Sequence, residues 1–229
     1  MNEFLNNFFF GYYPYIAGTV FLAGSVVRFD MSQYTWKTNS SQIMDSSPRF
    51  RLGNNLFHIG MIFLFFGHLI GLLMPHSWYP YFGLTASSKQ LLAILSGGFF
   101  GILALIGGAI LLHRRFTNPR VRAHSSQMDI PILVILYVQL LLGLLTIPFS
   151  AQHMDGSLML VLGDWAQRIV TFRPGAAELL AGVPWLYKIH LFLGLTIFLL
   201  FPFTRLVHIW SAPWGYIGRS YQIVRQRQG

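Results

Sequence analysis

The sequence has no cysteine, little charge, and a particular shortage of acid: seven Asp and Glu in 229 residues, against sixteen Lys and Arg. Without cysteine the chain can form no disulfide, hold no iron–sulfur cluster through thiolates and attach no haem through sulfur. Charged residues make up 10% of the chain, where a soluble domain carries roughly 25%. Several long runs carry no charge at all, which points to a polytopic membrane protein rather than a water-soluble globule. The net charge of +9 does not mark a nucleic-acid binder, because the basic residues are scattered between apolar runs. A membrane surface suits them better. The opening MNEFLNN carries acidic Glu3 and lacks a small-residue cleavage pattern, so it does not read as a cleavable signal. The length suits one membrane-embedded domain over 1–229, with any further catalytic machinery expected on other chains.

What is present is five apolar spans, at about 4–27, 54–74, 90–112, 129–149 and 184–210. The fold class expected is an all-α integral membrane protein, a bundle of five transmembrane helices. Pro14 either bends or starts the first span. The third holds glycines at 97, 98, 101, 107 and 108, small residues that let a neighbouring helix or a flat cofactor approach closely. Between the fourth and fifth spans, Leu158, Val161, Leu162, Trp165, Ile169, Val170 and Phe172 fall near helical spacing, so part of that stretch is expected to lie flat in the interface. Twelve of the sixteen Lys and Arg follow spans one, three and five. The positive-inside rule then places the N-terminus outside and the C-terminus in the cytoplasm.

Histidine is the ligand-grade side chain that remains. The second span carries His58 and His68, ten residues and roughly 15 Å of helical rise apart. The fifth carries His190 and His208. An imidazole in hydrocarbon needs a partner. Antiparallel neighbours would set His68 opposite His190 near the outer surface and His58 opposite His208 near the inner one. Two pairs at two depths is what two bis-histidine b-type haems require, since haem iron accepts imidazole from both faces. A simple hydrogen-bonding role in the bundle is the alternative. One geometric mismatch stands: His190 and His208 are eighteen residues apart, roughly 27 Å on a straight helix. Pro202 is placed to kink that span. His76, His113, His124 and His153 fall at span ends or in loops, where structural or solvated roles suffice. Lys89, at the outer start of span three, could hydrogen-bond a quinone oxygen or simply snorkel to the interface. Arg114 and Arg115 could pair with haem propionates or act as plain inward anchors.

With these positions, the strings YPYIAG (13–18), SQYTWK (32–37), NLFHIG (55–60), FGHLIGLLMPH (66–76), GLLTIPFSAQHMDGS (143–157) and LFPFTRLVHIWSAP (200–213), and the RR…PRVRA run (114–123), resemble the gamma (cytochrome b) subunit of respiratory membrane-bound nitrate reductase over essentially the whole chain. The resemblance implies a quinol-oxidising subunit with two b-type haems in a three-subunit enzyme of the bacterial cytoplasmic (inner) membrane. It implies His68 and His190 as axial ligands of the distal haem iron, and His58 and His208 of the proximal. It places the quinol, ubiquinol or menaquinol, beside Lys89, with Gly67 and Gly71 adjacent. It further implies proton release outside and electron flow through distal and then proximal haem to a cytoplasmic iron–sulfur beta subunit. It implies, too, a molybdenum alpha subunit there that reduces nitrate. The segment 77–88 matches no motif of the family, which leaves the quinone type open. A di-haem anchor of a hydrogenase or formate dehydrogenase keeps the same chemistry with other partners, and a haem-free transporter is the reading from a different class.

Overall fold

A computed structural model describes residues 2–36 and 47–211, and every regular element among them is helical. Five elements are long and apolar enough to cross a bilayer: α1 (Glu3–Thr35), α2 (Pro48–Leu73), α3 (Ala86–Thr117), α4 (Asp129–Ala151) and, following the shorter α5 (Ser157–Val170), α6 (Trp185–Phe203). The helices start where caps allow rather than where hydropathy rises. Ser47 accepts from Phe50 N at 3.2 Å ahead of Pro48, which opens α2 six residues before the apolar run. Thr85 and Ser88 form a reciprocal capping box at the start of α3.

Pro14 starts the regular part of α1. Lacking an N–H, it cannot serve the carbonyl of Phe10 four residues back, and the chain widens into one π-helical turn over Phe8–Tyr12. The Phe10 carbonyl accepts instead from Trp165 Nε1 of α5 at 3.0 Å.

The fifth span is not one helix to residue 210, as its hydropathy suggests. The α-helix ends at Leu200, Phe201–Phe203 form a 3-10 turn, Thr204 is extended, and a second 3-10 segment runs over Arg205–Ser211. Pro202 removes a donor and its ring crowds the preceding turn. The carbonyls freed by the break are met from α1: Arg28 Nη1 donates to Pro202 O at 2.6 Å and to Thr204 O at 2.8 Å.

Neighbouring helices pack in the order α2, α3, α4, α6, α1. The α2–α3 seam is the tightest. A Cβ on Gly60 would come within 2.6 Å of Ala104 N and Phe100 O, and one on Gly107 would overlap the backbone of Phe57. Among the described residues α2 and α6 have no packed seam of their own and face each other across a gap. The amphipathic stretch expected at the interface forms α5. Its apolar face, through Leu158, Val161, Leu162, Trp165 and Ile169, packs into the protein, and only Val170 and Phe172 stay exposed. α5 ties α1 to the end of α2, where Gln167 Nε2 donates to Leu72 O at 3.2 Å and Met74 O at 3.3 Å, carbonyls that a helix end leaves unpaired. The opposite end of the bundle holds Arg28, Arg49, Arg51, Arg114, Arg115, Arg120, Arg122 and Arg205. Lys37 and the basic tail lie outside the described residues.

Candidate functional site

Two histidine pairs bridge the gap between α2 and the α6 segment. The ring centroids of His68 and His190 are 6.1 Å apart, and those of His58 and His208 are 6.5 Å apart. The unequal ladders come level because His208 no longer sits on the helix that carries His190. The extended Thr204 redirects the chain between them.

The pairs fit the demands of a bis-histidine haem. Two imidazoles on one iron, each through a metal–nitrogen bond of about 2 Å, have ring centres roughly 6–6.5 Å apart. A ligating imidazole also needs its other nitrogen fixed by a hydrogen bond. His58 Nδ1 bonds Asn54 O at 2.8 Å, His68 Nδ1 bonds Leu64 O at 2.7 Å, and His208 Nδ1 bonds Arg205 O. In each case Nδ1 is the nitrogen so engaged, which makes Nε2 the candidate ligand atom. His190 differs, because its Nδ1 is buried without a partner among the described residues and its Nε2 lies at 3.5 Å from Gln139 Nε2. Gly143 gives this ring its room, since a Cβ there would stand 3.0 Å from His190 Cε1. The described residues contain no cluster of three or more His, Cys, Asp or Glu suited to a bare ion. Paired imidazoles are the donor set on offer.

Lys89 is buried at 6% exposure and does not snorkel. Its Nζ donates to Gly71 O at 2.9 Å and to the Tyr79 hydroxyl, and lies 4.1 Å from the Tyr79 ring centroid. The Gly71 carbonyl is free to accept because Pro75, four residues on, has no N–H to give it. Burial, followed by the Asp164 charge, pushes the Tyr79 phenol above its ordinary value, so it keeps its proton. An ammonium has three N–H donors. Two are used here, and among the described residues the third is uncommitted. Beside it, Cβ atoms added at Gly67 and Gly71 would meet nothing within 4 Å.

At the other end Arg114 is buried with its guanidinium 4.1 Å from the Phe50 ring centroid. Arg115 bonds Ser125 Oγ and lies 3.4 Å from Asp129 Oδ2, so much of its charge is met within the protein. His76 Nε2 lies 3.7 Å from Asp164 Oδ1, while His124 and His153 bond their own helical carbonyls, Arg120 O and Phe149 O. Gln139 and Gly143 stand out in the sequence as the polar and small residues of an apolar span. Tyr79 and Asp164 give no comparable signal, since both lie where polar residues are ordinary.

The family model for the nitrate reductase gamma subunit matches residues 6–227. The chain is 57% identical to the respiratory nitrate reductase 2 gamma chain of Escherichia coli over 228 residues, covering 100% of both chains. It is 55% identical to the respiratory nitrate reductase 1 gamma chain of the same organism, over 98% of this chain and 99% of that one. It is 35% identical to the nitrate reductase gamma chain of Bacillus subtilis, over 95% and 96%. A match along nearly the whole length, to relatives of the same length, sets the hydrogenase and transporter alternatives aside, and the chain belongs to the nitrate reductase gamma subunit family.

Proposed function

We propose that this chain is the quinol-oxidising, di-haem cytochrome b subunit of a respiratory nitrate reductase. It would cross the bacterial inner membrane with its N-terminus outside. The observation that carries the reading is the pair of facing histidines at each of two depths, 6.1 and 6.5 Å between ring centres, across a gap that no side-to-side helix packing closes. His68 and His190 would hold the outer haem, and His58 and His208 the inner. When bound, the two haems supply one-electron redox centres.

The chain's own residues then do the rest. Lys89 presents its remaining N–H to a quinol oxygen, with Tyr79 and the Gly71 carbonyl fixing the ammonium and Gly67 and Gly71 leaving the approach open. Quinol loses two electrons and two protons there, and the protons leave on the outer side. The arginine-rich end faces the cytoplasm and meets the iron–sulfur beta subunit, beyond which a molybdenum alpha subunit reduces nitrate. Arg114 and Arg115 are the propionate candidates at this end.

The test is a dithionite-reduced minus oxidised optical spectrum, with haem quantified per chain, on membranes containing the protein. Two b-type haems per chain are expected, falling to one in His68→Ala. A folded chain without haem would overturn the reading.

A further inference from the structure

Of the four paired histidines, His208 has the least support from its own secondary structure. His58, His68 and His190 sit within regular α-helix, whereas His208 lies on a short 3-10 segment beyond a helix break. Such a segment holds its geometry poorly alone. Two brackets hold it from outside. One comes from α1, where Arg28 Nη1 binds Pro202 O and Thr204 O at 2.6 and 2.8 Å, directly at the break. The other comes from the start of α4. Asp129, 4% exposed, accepts from Ser126 N at 3.2 Å and has its Oδ2 3.4 Å from Arg115 Nη1 and 3.6 Å from Arg205 Nη1. Arg205 is the residue whose carbonyl receives the His208 Nδ1 hydrogen bond. A buried carboxylate between two guanidiniums is therefore linked to the imidazole through a single residue.

We propose that Asp129 and Arg28 are positioning residues for the inner haem ligand: Asp129 pins Arg205, Arg205 O orients the His208 ring, and Arg28 fixes the angle at which residues 205–211 leave α6. The proposal rests on the inner haem being held by His58 and His208. Removing the Asp129 charge leaves Arg115 and Arg205 facing each other without their shared counter-ion, which drives Arg205 off its place. Loss of an outer partner of a ligating histidine costs about 10–100-fold in affinity for the bound group.

The experiment compares full-length wild type, Asp129→Asn, Asp129→Glu and Arg28→Gln in membranes, by redox titration followed optically and by the low-spin ferric signals in electron paramagnetic resonance. For Asp129→Asn the inner haem is expected to bind at least about tenfold more weakly or to change its potential and signal. The outer haem should be untouched and Asp129→Glu should recover part of the change. Arg28→Gln, acting through a different bracket, should affect the same haem. Unchanged potentials and signals in both Asn and Gln variants would overturn the proposal. So would loss of the two haems in equal proportion, which would make these residues general supports of the fold. Absence of haem from the wild type would be a separate failure, that of the haem reading itself.

Discussion

At the scale of single residues, the four histidines are legible in the sequence because an imidazole in an apolar run needs a partner. Lys89 is only half legible. Its position at a span boundary is visible, but its burial depends on a carbonyl in the last turn of α2, freed by Pro75, and on Tyr79 from the loop that follows. We predict that Lys89→Ala leaves haem content at the wild-type level and lowers quinol oxidation by about one to two orders of magnitude, as loss of a charged hydrogen bond of about 1.5–3 kcal/mol implies. Stopped-flow haem reduction by quinol measures it, and a wild-type rate would remove Lys89 from the site. His190→Ala should abolish the outer haem signal while sparing the inner one. Tyr79→Phe, which deletes the protonated phenol that accepts from Lys89, should raise the KM for quinol more than it lowers kcat.

Among the elements, the α2–α3 seam follows from the glycine content of the third span, and the structure closes it with Gly53, Gly60 and Gly107. Gly107→Ala forces α2 away from α3, an overpacking cost of about 1–3 kcal/mol. Since α2 carries one histidine of each pair, the proposed ligand set predicts that both haems fall together in this variant, unlike the single losses expected of the histidine variants. Haem per folded chain decides it. α5 offers a pH test. Hydrogen bonds from the Ser157 side chain and backbone hold the Asp155 carboxyl below its ordinary value. The contribution is present above the usual carboxylate range and lost as pH falls through the depressed native value. Hydrogen exchange in residues 157–160 should therefore quicken on acidification, and the change should be absent in Asp155→Asn. The end of the fifth span is where sequence reading fails. Hydropathy stays high to Trp210, so the span looks continuous, whereas Pro202 and the Arg28 contacts end the helix ten residues earlier. Pairing of a distant arginine with freed carbonyls leaves no periodic trace.

For the whole molecule, the division into an arginine-rich end and an end closed by α5 is readable from the loops alone, because charge placement between apolar spans needs no tertiary information. Deleting residues 220–229, a basic stretch outside the described residues, is expected to weaken association with the partner subunits; unaltered co-purification would count against it. The break at Thr204 has a mechanical consequence for the assembly. α2 is one stiff rod bearing two imidazoles, like the fixed jaw of a vice. The facing imidazoles ride on two separate jaws joined at an extended residue. A pull on residues 205–211 is borne by Arg28 and Asp129, and no continuous α-helix carries it on to His190. Each grip can thus be set without loosening the other.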